Sequence, residues 1–146
     1  MKSTERLIEL LCPARDYRAA IAAVDAGADA LYIGAEGFGA RRAATNSTDD
    51  IARVVAYAHL YGVRVYVTLN TILYESELKR AEALARELIA VGVDALIVQD
   101  MAYREMGLPV ELHASTQVCN MTPEGAKFLE ESGFTRVILE RALSLD

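Results

Sequence analysis

This chain has little that is suited to covalent staples or to metal. Its 146 residues include two cysteines, Cys12 and Cys119, and two histidines, His59 and His113. Two thiols make no disulfide framework at this length. Two isolated histidines with two isolated cysteines match no zinc spacing, and an iron–sulfur cluster usually takes four thiolates. No metal site is therefore expected in the chain itself. Basic residues are the minority, 15 against 21 acidic, for a net charge of −6. That balance makes a poor general binder of nucleic acid or anionic membrane, although a local basic pocket is compatible with it. No apolar run approaches the roughly 18 residues of a membrane span. The opening Met1-Lys2-Ser3-Thr4-Glu5-Arg6 lacks the apolar stretch of a secretory signal. These absences predict a reduced, cytoplasmic protein without a membrane partner.

What is present is a repeat. Gly27, Gly62, Gly92 and Gly133 are each followed within one to three residues by an apolar strand. The stretches Gly27-Ala28-Asp29-Ala30-Leu31-Tyr32-Ile33 and Gly92-Val93-Asp94-Ala95-Leu96-Ile97-Val98 are near copies. The glycines stand 35, 30 and 41 residues apart, the length of one strand-plus-helix unit. Apolar residues make up 53% of the chain. That share fits parallel strands covered by helices on an α/β plan.

Read along the chain, strands are predicted at Leu7–Cys12 (with Pro13 ending it), Ala30–Ile33, Val63–Leu69, Ala95–Val98, Val110–Ala114 and Arg136–Leu139. Asp16 caps a first helix with Tyr17, Ala20, Ile21 and Val24 on one face. Thr48 is expected to cap a second, with Ile51, Val54, Val55 and Ala58 buried. A third is expected from about Glu75 to Val91, with Ala81, Leu84, Ala85 and Leu88 inward. A short helical segment covers Met101–Met106, and Thr122-Pro123-Glu124 opens a fifth helix. Ser144 and Asp146 read as the start of a sixth. The expectation is one domain over residues 1–146: a partial (β/α)8 TIM-type barrel, α/β, with about six parallel strands and five helices, truncated before the last two βα units. No G-x-G-x-x-G follows the first strand, so a dinucleotide-binding sheet has little support.

Function in such an architecture sits where strands end. Polar residues gather at those points: Glu36, Asn70 and Thr71, Gln99 and Asp100, Glu140 and Arg141, and the run His113-Ala114-Ser115-Thr116-Gln117. Alternation would aim His113, Ser115 and Gln117 to one side, where they would orient a ligand. Ser115 and Thr116 capping a turn around a core histidine is the plain alternative. Arg41 and Arg42, on a long loop over the same mouth, have the chemistry to hold a carboxylate or phosphate. Asp100 and Glu140 are candidate acid and base beside His113, or else caps and partners of arginines. No G-x-S-x-G elbow supports a serine nucleophile. Cys12 reads as a small core residue.

Seven segments occur in an order that carries a resemblance. They are Leu10-Leu11-Cys12-Pro13-Ala14, Gly27-Ala28-Asp29-Ala30-Leu31-Tyr32-Ile33-Gly34, Phe38-Gly39-Ala40-Arg41, Val65-Tyr66-Val67-Thr68-Leu69-Asn70-Thr71, Asp94-Ala95-Leu96-Ile97-Val98-Gln99-Asp100, His113-Ala114-Ser115-Thr116-Gln117 and Arg136-Val137-Ile138-Leu139-Glu140-Arg141-Ala142-Leu143-Ser144-Leu145. Together they resemble the amino-terminal region of the U32 peptidase family, the collagenase-like proteases. The resemblance implies a bacterial, cytoplasmic TIM-type barrel. Family members carry a peptidase name, and several resemble hydroxylases of transfer RNA, ribosomal RNA or ubiquinone. Those members imply a [4Fe-4S] cluster on cysteines outside this sequence, and prephenate as a small acidic cofactor. Three readings follow. In the favoured one the chain is the barrel portion of an RNA-base hydroxylation enzyme that meets RNA only at full length. There Arg41 and Arg42 clamp a carboxylate, while His113, Ser115, Gln117, Asn70 and Gln99 shape the pocket. The second is a peptidase using His113 with Asp100 or Glu140. The third is a non-catalytic piece that dimerises through open strand edges.

Overall fold

The computed structural model describes residues 8–39 and 46–144. Six strands, β1 (Leu11–Ala14), β2 (Ala30–Gly34), β3 (Arg64–Leu69), β4 (Ala95–Val98), β5 (Glu111–Ala114) and β6 (Arg136–Val137), form one sheet in sequential order. All five neighbouring pairs are parallel. Helices α1 (Tyr17–Asp25), α2 (Thr48–Leu60), α3 (Leu78–Ala90), α4 (Ala102–Glu105) and α5 (Pro123–Glu131) make the crossovers. This is a partial TIM-type barrel: order without reversal is how such a barrel is wound.

The repeat has a physical basis in its glycines and aspartates. Gly27, Gly62, Gly92 and Gly133 all take positive φ, between 69° and 93°, which ends each helix and returns the chain to the sheet. Two residues after Gly27 and after Gly92 an aspartate fastens the neighbouring strand. The Asp29 carboxylate accepts from the Leu10 amide at 2.8 Å, and that of Asp94 accepts from Val65 at 2.7 Å. Asp94 also meets His59 Nε2 at 2.9 Å. In these two units an aspartate at the start of the strand fixes its neighbour's register; Arg64 and Thr135 hold the equivalent places after Gly62 and Gly133.

Strand alternation divides the core in two. Leu31, Ile33, Val65, Val67, Leu69, Leu96, Val98, Leu112 and Ala114 face the helices, where they meet Ala20, Val24, Ile51, Val54, Ala58, Ala81, Ala85 and Leu88. Cys12 packs against this layer, as its reading as a core residue requires. A smaller cluster of Ala30, Tyr66, Ala95 and Ile97, with Leu11, Tyr32 and Ile138, lies on the concave face.

The structure corrects several expected boundaries. β1 begins at Leu11 and runs through Pro13, and the predicted start at Leu7 lies outside the described residues. A proline is tolerated there because β1 has one strand neighbour among the described residues, so no ladder partner is missed. Ser47, not Thr48, caps α2, in a reciprocal capping box with Asp50. The third helix opens as a 3₁₀ turn, Glu75–Glu77, before α3. β6 is two residues long. The helix start read at Ser144 runs into residues 145–146, outside the described ones, and Ser144 itself is not helical.

Candidate functional site

The concave face changes character from one end to the other. Register places Tyr32, Tyr66, Ala95 and Glu111 in one row, and Thr68, Ile97, His113 and Arg136 in the next. The amino-terminal end carries charge. Glu9, just ahead of β1, accepts from Arg64 Nη2 at 2.9 Å, from the Tyr66 hydroxyl at 2.9 Å and from Arg136. Arg136 and Arg64 also lie 5.3 and 6.0 Å from the centre of the Tyr66 ring. Burial alone would raise the Glu9 pKa. Hydrogen bonds from Arg136 and Tyr66 and the two guanidinium charges outweigh it, and hold Glu9 below its ordinary value. Tyr66 is pushed up to about 12 by burial and by its bond to Glu9.

His113 stands above this cluster, 1% exposed, with its ring edge-on to Tyr66 at 4.8 Å and 76°. Its Nε2 lies 3.3 Å from Glu111 Oε2, and Nδ1 is buried without a partner among the described residues. Burial pushes its pKa down, against a smaller upward pull from Glu111; Arg136 also pushes down. A neutral ring follows. Assigning the proton to Nε2, toward the carboxylate, leaves Nδ1 as an acceptor.

The carboxyl-terminal end is laced by side-chain amides. Ser115, 2% exposed, accepts at Oγ from Asn70 Nδ2 and from the Gln117 amide, both at 3.2 Å. Its own O–H donor is not used in either bond. Asn120 Nδ2 bridges the carbonyls of Ser115 and Ile138 at 3.0 and 2.9 Å, joining the exits of β5 and β6. Asn46 Nδ2 does the same for β1 and β2, reaching the carbonyls of Arg15 and Gly34 at 3.0 and 2.9 Å. Gln99 Nε2 donates to the Gln117 carbonyl at 3.1 Å.

The predicted residues divide accordingly. Asn70 and Ser115 meet directly, and Gln99 reaches the backbone of Gln117. The expected alternation fails at Gln117: β5 ends at Ala114, and Ser115 caps a 3₁₀ turn, Thr116–Val118, that leaves Gln117 exposed. Asp100 is taken up by the Leu73 and Ala102 amides, both at 2.9 Å, and pins two loops. Glu140 Oε1 accepts from the adjacent Arg141 amide at 2.9 Å. The carboxylate at His113 is Glu111, which the sequence reading passed over. Its signal was there, because residues two apart on a strand share a face. Arg41 and Arg42 lie outside the described residues.

Metal finds no home among the described residues: no group of three histidine, cysteine or carboxylate side chains converges. Cys12 lies on the helix side and Cys119 is exposed in a left-handed turn with φ 61°. These two thiols do not fit a four-thiolate cluster.

The model of peptidase family U32 matches residues 15–146. The chain belongs to this family. It is 53% identical, over 147 aligned residues, to the 23S rRNA 5-hydroxycytidine C2501 synthase of Escherichia coli K12, covering 100% of this chain and 22% of that protein. It is 35% identical to tRNA hydroxylation protein P1 of Bacillus subtilis, over 93% of this chain and 33% of that one. It is also 30% identical to a protein named collagenase from Porphyromonas gingivalis, over 94% of this chain and 34% of the other. The chain therefore spans between about a fifth and a third of these relatives. Among solved structures, the U32 peptidase Mk0906 superposes with a TM-score of 0.73 at 16% identity, over 98% of this chain and 64% of that one. That likeness establishes the barrel fold of this U32 chain.

Proposed function

We propose that the chain is the ligand-holding barrel portion of an RNA-base hydroxylation enzyme. The observation that carries this reading is the 53% identity, along its whole length, to an rRNA hydroxycytidine synthase. The geometry supports it over peptide hydrolysis. Ser115 Oγ is engaged by Asn70 and the Gln117 amide, and His113 turns toward Glu111, so the two do not form a nucleophile–base pair. In this reading a small acidic cofactor such as prephenate sits at the carboxyl end. Ser115 donates its free hydroxyl hydrogen to it, Asn70 and Gln99 hold the rim, and Arg41 and Arg42 clamp its carboxylate. His113, neutral and buried below, offers Nδ1 as an acceptor. The iron–sulfur cluster belongs to other parts of the protein, which works on RNA in the cytoplasm. No helix among the described residues is long and apolar enough to cross a membrane.

The test is the full-length protein purified without oxygen. Mass spectrometry of RNA from cells lacking the gene, with and without the restored gene, should show one added oxygen on a base. Peptide hydrolysis abolished by His113→Ala, with no RNA product, would establish the peptidase reading instead.

A further inference from the structure

One cation at the carboxyl-terminal rim has no role in the site above. Arg80 lies in the first turn of α3 and is exposed. Its guanidinium carbon sits 4.9 Å from the centre of the Phe38 ring. Phe38 itself is 2% exposed, so the ring is a fixed platform. Gly37 flanks the guanidinium: a Cβ built there would stand 2.6 Å from Arg80 Nη2. Gly37 has φ 97°, which favours glycine, and its bare backbone leaves this space to the guanidinium. Among the described residues no carboxylate lies within ion-pair distance of Arg80, as for Arg18, Arg53, Arg104 and Arg141.

A long side chain is normally costly to immobilise. Here stacking holds it and leaves the N–H donors at the edge of the guanidinium plane available. Such a fork is matched to an oxyanion. Its place ties it to the site. The Phe38 carbonyl accepts from Thr71 Oγ1 at 3.2 Å, and Thr71 follows Asn70, which reaches Ser115. Arg80 thus stands outside the pocket, on the rim that a large substrate would cross. With a net charge of −6 the chain offers a polyanion little general attraction, so any phosphate contact has to be local.

We propose that Arg80, stacked on Phe38 against Gly37, receives a phosphodiester oxygen of the RNA substrate at the carboxyl-terminal rim. This rests on the RNA reading given above.

The experiment measures binding of the full-length protein to unmodified 23S ribosomal RNA over a series of salt concentrations. Arg80→Ala should weaken binding about 5- to 20-fold and reduce the slope of log affinity against log salt by about one. Arg80→Lys should recover most of the slope, since it keeps the charge. Prephenate binding, followed by calorimetry, should be unchanged in Arg80→Ala. Unaltered RNA affinity and slope in Arg80→Ala would overturn the inference and leave the RNA reading standing. Loss of prephenate binding with RNA binding intact would overturn it too, assigning Arg80 to the small ligand. An unaltered protein that binds no RNA would overturn both.

Discussion

Glu9 and Arg136 are separated by 127 residues and meet on the concave face, joining the segment ahead of β1 to β6. Arg64 and Tyr66 converge on the same carboxylate from β3. The contact draws the first and last strands of the sheet toward each other through their side chains, and it fills the amino-terminal end with charge.

Removing one partner should therefore cost more than removing both. Glu9→Gln leaves two guanidinium groups without their shared carboxylate, and should lower unfolding free energy by about 1–3 kcal/mol. The pair is only partly buried, which keeps the figure below that of a fully buried bridge. Adding Arg136→Met should recover part of the loss. Denaturant midpoints of the two variants and the parent check this; equal midpoints for all three would show that the pair contributes nothing.

Acid should destabilise the chain in two stages. The folded-state pKa of His113 is lowered, so the unfolded chain binds its proton first. Stability from this group is complete above about pH 6.5 and declines as pH falls below that value. Glu9 is also lowered, from 4.5, and its contribution is lost further down, as pH falls through its folded-state pKa. Thermal melts from pH 8 to about 2 should show both declines, the second only below the ordinary carboxylate range. His113→Gln should remove the first and keep the second.

Ser115→Ala deletes the acceptor for Asn70 and the Gln117 amide, together with the donor assigned to the ligand. The expected cost to stability is about 1 kcal/mol. RNA hydroxylation by the full-length protein should fall at least about tenfold, equivalent to about 1.4 kcal/mol. Ser115→Thr, which keeps the hydroxyl, should retain more of both.

Asn120→Ala should separate the exits of β5 and β6 by leaving the carbonyls of Ser115 and Ile138 without their bridge. A loss of about 1–3 kcal/mol is expected from buried groups left unpaired. Amide exchange should rise first around Gly133–Ile138, ahead of β1–β3.

Among the described residues β1 and β6 have one strand neighbour each. Isolated from any further chain, these 146 residues should self-associate through those edges. Light scattering should give a mass that rises with concentration; a constant monomer mass would count against edge pairing.

The order of strands and helices was legible because its causes are local. Gly27, Gly62, Gly92 and Gly133 end helices by their own backbone freedom. Asp16 and Thr122 cap the helices that follow them. The stripe Ile51, Val54, Val55 and Ala58 of α2 is buried as its spacing requires. Ser47 was missed as a cap because Thr48 is equally competent by type, and only the Asp50 contact decides between them.

The site was legible only in outline. Sequence placed polar residues at the strand exits, since hydropathy marks where each strand stops. Which of them meet depended on register and curvature. The 3₁₀ turn that begins directly after Ala114 and Ser115 turns Gln117 out to solvent. The loop amides occupy Asp100 and leave Glu111 as the carboxylate beside His113. Composition and periodicity determined a helix-covered parallel sheet, because those preferences act over a few residues. The pairing of Glu9 with Arg136, of Asn70 with Ser115 and of Arg80 with Phe38 was decided in three dimensions. Contacts between distant strands follow from how far the sheet bends, and no local run of residues encodes that.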